Sequence, residues 1–204
     1  MARIPQQKRS KILVKSIIEA GFISVGKYGA ATTTTHHIAQ IAGVSVGSVY
    51  EYFDNKEAIF DAMAQRVIGE LIKVFLNLNQ QIYNLSVEEA VSLVTDTFTE
   101  FLHANNNLYL NVAKQLINSD YDRYLEPSIK TLTDLCLNYI ASHPEYMMLP
   151  NIRAVLYVIV HGSCFVVLHH LTADKPEVDY DSMTQALGTL LTSYLNTAKR
   201  PLSS

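Results

Sequence analysis

Residues 36 to 53 read HHIAQIAGVSVGSVYEYF, and this stretch decides the fold. Ala39 is followed four residues later by Gly43, and six residues after that by Val49. Two short helices that cross closely need that pattern: a small residue at the crossing, a glycine able to take the positive φ of the turn, and an apolar plug between them. Ser45 is well placed to cap the second helix. The stretch predicts a helix-turn-helix over about residues 34–53, the geometry of a segment that docks on DNA. Yet no lysine or arginine occurs from Tyr28 through Asn55, so the charge for phosphate has to come from elsewhere.

Upstream, apolar residues at three- and four-residue steps predict a first helix over about 8–27, with Ile12, Ile17 and Ala20 among its buried positions. Tyr28-Gly29 ends it. The four threonines at 32–35 suit a helix N-terminus better than a helix interior, so a second helix starts near Thr34 and stops at Gly43. The third runs from the Ser45 cap through Tyr52. After Asp54-Asn55, Lys56 opens a long amphipathic helix through Ile59, Met63, Val67, Leu71, Phe75 and Leu78. Farther on, Ser86 with Glu89 three positions later has the capping-box spacing. Helices are expected over 87–104, 108–119, 123–142, 151–171 and 179–197, with breaks at Asn105 to Asn107, His143-Pro144, Leu149-Pro150 and 173–179. The expectation is an all-α chain, with a helix-turn-helix head over 1–55 and a larger helical body over 56–204.

The charge is divided along the chain in a way that fits this. The formal net charge is −3, but residues 1–60 hold seven cations against four carboxylates, a net of +3, and residues 61–204 hold nine against fifteen, a net of −6. A basic head on an acidic body suits a protein whose head meets nucleic acid. The two cysteines, Cys136 and Cys164, have neither metal-ligand nor redox spacing, which fits buried thiols in a reducing compartment. No signal-like apolar core precedes a cleavage site near the N-terminus. The most apolar run, from Ala154, carries three histidines. A cytoplasmic protein without a membrane anchor is expected.

Taken together, Ile17 to Ala20, Gly29, Thr33-Thr34, Ile38-Ala39, Ala42 to Ser45, Gly47 to Tyr50, Tyr52-Phe53 and Lys56 to Ala58 resemble the head of the TetR family of transcriptional repressors, over roughly residues 8–67. The resemblance implies an all-helical homodimer whose third helix enters the major groove. It also implies what faces DNA: Thr34, His36 and His37 from the second helix; Ser45, Val46, Gly47, Ser48 and Tyr50 around the third; and Tyr52 and Lys56 after it. Hydroxyls, backbone amides and helix N-termini make many phosphate contacts, so cations need only flank the reader. Lys56 is one, and Arg3, Lys8, Arg9 and Lys11 form a basic arm. Some residues depart from the family's pattern. Gly21 and Gly26 replace better helix formers in the first helix, Val25 replaces a larger apolar residue, and Val46 stands where lysine is common.

The body has no phosphate loop, nucleophile elbow or clustered metal-ligand pattern, so neither a cofactor nor a metal is expected. The resemblance implies an effector cavity, and candidates for its lining are Phe98, Phe101, Leu102, Tyr109, Tyr121, His161 and Phe165, with Leu116, Met147 and Met148 beside them. Such a lining suits an apolar or aromatic small molecule. The last two long helices are expected to form the dimer interface as a four-helix bundle. Val155, Val158, Ile159, Gly162 and Val166 come from one, and Leu187, Leu190, Leu191 and Tyr194 from the other. The function expected is that of a repressor, not an enzyme, that holds a palindromic operator as a dimer and releases it when the effector enters. The alternative is a helical small-molecule carrier or enzyme whose hairpin matches by coincidence.

Overall fold

In the computed structural model, residues 4–116, 121–146 and 149–197 are described, apart from the side chains of 4–8, 105–106, 115–116, 121–124 and 197. Eight α-helices carry the described residues, with no strand among them. They are α1 (Ile4–Tyr28), α2 (Thr35–Ala42), α3 (Val46–Tyr50), α4 (Lys56–Leu78), α5 (Val87–Leu116), α6 (Tyr121–Ala141), α7 (Ile152–Thr172) and α8 (Tyr180–Thr197), with one 3₁₀ turn at Pro144–Tyr146. The chain separates into two packed units. One holds Met1–Val67 and Ala104–Tyr121, and the other Ile68–His103 and Asp122–Ser204. The first unit thus reaches past residue 55 into α4 and takes in the end of α5.

The core of the first unit is built by α1 to α4. Ile17, Phe22, Ile38, Val49, Ile59 and Met63 are fully buried. Ile12 is the exception to the expected set: it is 62% exposed. At 100° per residue it lies about 140° around the helix from Ile17, and so faces away from the stripe that Ile17, Ala20 and Ser24 define. Gly21 has a packing role that its poor helix propensity hides. A Cβ there would come within 2.7 Å of Met63 Sδ and 3.2 Å of Ile59 Cγ2, so α1 and α4 meet across it. Behind α2, Thr33 donates its hydroxyl to Gly29 O at 2.8 Å. The buried Ser24 hydroxyl, 3.1 Å from Thr33 Oγ1, is therefore the donor of that pair.

In the second unit Leu71, Phe75, Leu78, Ile82, Leu135, Tyr139, Leu149 and Leu195 form one apolar cluster. The capping box is in place: Ser86 N donates to Glu89 Oε2 at 2.8 Å and Glu89 N to Ser86 Oγ at 3.2 Å. Those bonds hold the Glu89 carboxyl below its ordinary range. Asp179 caps α8 by accepting from Ser182 N at 2.8 Å. Gly188 lets α8 lie close over the start of α5, since a Cβ there would be 3.4 Å from Glu88 Cα. The asparagine triplet does not end a helix. α5 runs through it with Asn107 at φ 62°, a left-handed conformation that asparagine tolerates better than most residues.

Candidate functional site

The surface of the helix-turn-helix follows from two caps and one turn. Thr34 Oγ1 accepts from His37 N at 3.1 Å and starts α2. Gly43 ends α2 at φ 70°, and its N–H and that of Val44 return to carbonyls of the last turn. Ser45 Oγ accepts from Ser48 N at 3.0 Å and starts α3. Ala39 and Val49, buried at the crossing, hold the two helices together. The Ser45 and Ser48 hydroxyls lie 2.9 Å apart at the N-terminus of α3.

Around this frame the polar side chains face outward. Tyr50 is 52% exposed and Tyr52 38%. His36 and Gly47 are exposed, while Val46 and Ser48 are half-buried. Lys56, the first residue of α4, places its ammonium 5.7 Å from the Phe60 ring centre. Next to it, Asn55 Oδ1 caps α4 by accepting from Ala58 N at 2.8 Å. His37 stands apart from this set. Its ring stacks on Tyr28 with centroids 4.5 Å apart, and its Nδ1 is buried without a partner. On the same tyrosine Lys27 places its ammonium 5.0 Å from the ring centre.

Sequence reasoning missed Thr35. Its hydroxyl is 3.2 Å from the Tyr50 hydroxyl, joining the start of α2 to the end of α3 on the exposed face. Within the threonine run only the capping role was sought, and the residue after the cap also faces out. Of the basic arm, Arg9 and Lys11 are exposed on α1, whereas Arg3 and the Lys8 side chain lie outside what is described.

In the second unit two neighbouring apolar cavities of about 160 and 70 Å³ lie among α4 to α8. Val94, Thr95, Leu132, Ser163 and Cys164 line both. Phe98, alone among the expected lining residues whose side chains are described, faces a cavity, the smaller one. Phe101 packs against the core cluster and Leu102 is buried. Tyr109 belongs to the first unit, 5.8 Å from the Phe22 ring. His161 Nδ1 is 2.8 Å from Tyr157 O, and Phe165 is exposed and stacked on His169. The side chains of Leu116 and Tyr121, and Met147 and Met148 entirely, lie outside the described residues. What the expectation missed were the cysteines, both of which line the larger cavity. Burial pushes the Cys136 thiol up to about 11 and the Cys164 thiol up to about 12.

The nine expected interface residues split in two. Val155, Ile159, Leu187 and Leu191 line the larger cavity, and Tyr194 packs on the core cluster. Val158, Gly162, Val166 and Leu190 are exposed. With Tyr157 and Phe165 the exposed residues of α7 recur at helical spacing, so this face of the helix is apolar and open to solvent. By length and composition α7 is the one helix among the described residues apolar enough to cross a membrane.

Comparison with known proteins separates the two units in the same way. The model of the family of bacterial regulatory proteins, tetR family, matches residues 17–63. An uncharacterized HTH-type transcriptional regulator, YhgD, of Bacillus subtilis is 35% identical over 57 residues, which cover 28% of this chain and 30% of that protein. The chain spans 30% to 37% of the length of the first curated relatives it matches. Likeness of fold extends much farther. A TetR-family regulator from Mesorhizobium loti superposes with a TM-score of 0.69 at 13% identity, covering 93% of this chain and 98% of that one. The regulator FadR from Bacillus subtilis, in complex with stearoyl-CoA, gives 0.63 at 19% identity, covering 90% and 96%.

Proposed function

We propose, for a chain that belongs to the TetR family of transcriptional regulators, that it represses transcription by holding a palindromic operator as a homodimer and releases it when a small apolar molecule enters the body. The observation that carries this reading is the surface of α2 and α3. It carries the Ser45 and Ser48 hydroxyls at the N-terminus of α3 and the exposed Tyr50, with the exposed Tyr52 and Lys56 following in sequence. In this reading α3 enters the major groove. Thr34, Ser45, Gly47, Tyr52 and Lys56 contact the sugar-phosphate backbone, and Val46, Ser48, Tyr50 and His36 approach base edges. His37, stacked on Tyr28, positions the start of α2.

Dimerisation follows from the open apolar face of α7 and α8. A second copy would cover Val158, Gly162, Val166 and Leu190 by the same surface, as a two-fold interface requires. That accounts for the apolarity of α7 without a membrane, and it suits a cytoplasmic protein. Two heads held this way can meet successive major grooves about 34 Å apart. An effector that prefers a body conformation in which the heads no longer match that spacing shifts the population away from DNA. The cavities in the second unit are where it would bind, and no catalytic group is required of them. A carrier or enzyme has no comparable support.

A gel shift with the protein's own upstream region at several salt concentrations tests the reading. Specific binding should fall steeply with salt, because phosphate neutralisation releases counterions. Binding that is absent at low salt, or insensitive to salt, would overturn it.

A further inference from the structure

Three buried side-chain atoms among the described residues have no hydrogen-bond partner: His37 Nδ1, Thr192 Oγ1 and Ser128 Oγ. Only Ser128 lines one of the two cavities, the smaller, and it is 3% exposed. A buried hydroxyl without a partner is destabilising, and it marks a place where a polar group from outside would be held. Ser163 lines both cavities, and two further polar groups of the lining are already engaged. Thr95 donates to Val91 O at 2.9 Å and to Ser92 O at 3.1 Å, and Tyr139 donates to Leu85 O at 2.8 Å. Among the described residues, no lysine, arginine or histidine lines either cavity.

The larger cavity, at about 160 Å³, is of the size that stays dry when lined by aliphatic side chains and takes up a small hydrocarbon. The smaller one, which shares part of that lining, adds the buried, unpartnered Ser128 hydroxyl. We infer that the effector is a neutral amphiphile, an aliphatic chain ending in one uncharged hydroxyl or carbonyl, with the chain in the larger cavity and the polar end on Ser128 Oγ. A carboxylate or phosphate in the same place would be buried with no counter-charge, at a cost that outweighs the burial of a short chain. The inference rests on the effector reading above and gives that site its ligand class.

Three ligands and two proteins test it, using the full-length chain in calorimetric titrations at pH 8. 1-Octanol supplies chain and hydroxyl, n-butylbenzene an apolar body alone, and octanoate the chain with a charge. Wild type should bind 1-octanol at least tenfold more tightly than octanoate. Ser128→Ala should weaken 1-octanol about tenfold, the effect of one lost hydrogen bond in an apolar site. It should leave n-butylbenzene within about twofold. Removing an unpaired buried hydroxyl should also leave the ligand-free variant at least as heat-stable as wild type. Octanoate binding as tightly as 1-octanol, or a Ser128→Ala change that moves both neutral ligands alike or neither, overturns the inference. Gel shifts on the same samples keep the two readings apart. Ser128-dependent binding of 1-octanol with no release of DNA supports the site and overturns its role in induction. Release by octanoate alone overturns the site and leaves induction standing.

Discussion

The helix-turn-helix of the first unit and the α7–α8 pair of the second both turn a row of side chains to solvent, and the rows differ in kind. On α2 and α3 the exposed groups are hydroxyls, an imidazole and tyrosines, several of them tied to backbone three residues away through caps. On α7 and α8 they are Tyr157, Val158, Phe165, Val166 and Leu190, with nothing polar between most of them. A polar row is stable in water and waits for a charged polymer. An exposed apolar row of that kind marks a surface for a partner, so on the dimer proposed above the first surface is free or occupied by turns while the second stays covered.

The sharpest way to break that contrast is to put charge on the apolar row. Val158 and Leu190 are 68% and 69% exposed, so Val158→Glu with Leu190→Glu should leave the fold of the subunit intact. In a two-fold interface each carboxylate occurs twice. The dimer should weaken by at least about a hundredfold, roughly 3 kcal/mol, and DNA affinity should fall with it. Analytical ultracentrifugation decides. A dimer that persists would mean that this face is not the interface.

The thiols that line the larger cavity offer the next largest effect. With the Cys136 thiol pushed up from 9.0 to about 11, its thiolate fraction at pH 8 falls about a hundredfold, and labelling by a thiol reagent should slow by the same factor relative to the protein in urea. The sign for stability follows. Each thiol keeps its proton longer in the folded state than in the unfolded one, so stability is unaffected below about pH 9 and falls as pH rises from there toward 11 and 12. Cys136→Ala with Cys164→Ala should flatten that fall. Rapid labelling of the native protein at pH 8 would mean that water fills the cavity.

On the polar row Lys56→Ala should weaken binding to every operator about tenfold and lower the salt slope by about one unit, with Tyr52→Phe smaller and also uniform across sequences. An unchanged slope would remove Lys56 from the phosphate contacts. A smaller effect comes from the imidazoles. His36→Gln should weaken operator binding a few-fold and His37→Gln, whose ring stacks on Tyr28, should not; the reverse pattern would move the DNA contact to the stacked ring.

How much of this the sequence disclosed follows the same division. In the head the decisive interactions span three to five residues: Thr34 to His37, Ser45 to Ser48, Ala39 to Val44. Such contacts leave a pattern that spacing alone reveals, and the helices were legible to within a few residues. In the body they join distant segments, as where Tyr139 reaches Leu85 O or α8 lies over Glu88 across Gly188. Spacing says only that a residue is apolar and helical, not whether it turns to the cavity or to solvent. Val155 and Val158 stand one turn apart and look in different directions. The aromatic residues drew attention as cavity lining because they are conspicuous, whereas aliphatic residues and the two cysteines supply most of it.

The smallest effect concerns the first helix, where two glycines look equivalent in sequence and differ in surroundings. Glycine in a helix interior costs up to about 1 kcal/mol relative to alanine, so Gly→Ala would stabilise α1 at either site if nothing stood in the way. At Gly26 the nearest atom to a new Cβ is Leu108 Cδ1 at 3.6 Å, an ordinary contact, and Gly26→Ala should raise stability by about 0.5 kcal/mol so near the helix end. At Gly21 the new methyl meets Met63 Sδ at 2.7 Å and Ile59 Cγ2 at 3.2 Å, and both side chains are fully buried. Met63 can swing only into filled space. Overpacking of about 1 to 3 kcal/mol should therefore exceed the gain in propensity, and Gly21→Ala should lower the unfolding midpoint. Urea unfolding of the two variants reads the difference directly. If both substitutions stabilise, α1 and α4 have room to part, and Gly21 is a weak point in the helix, not a packing contact.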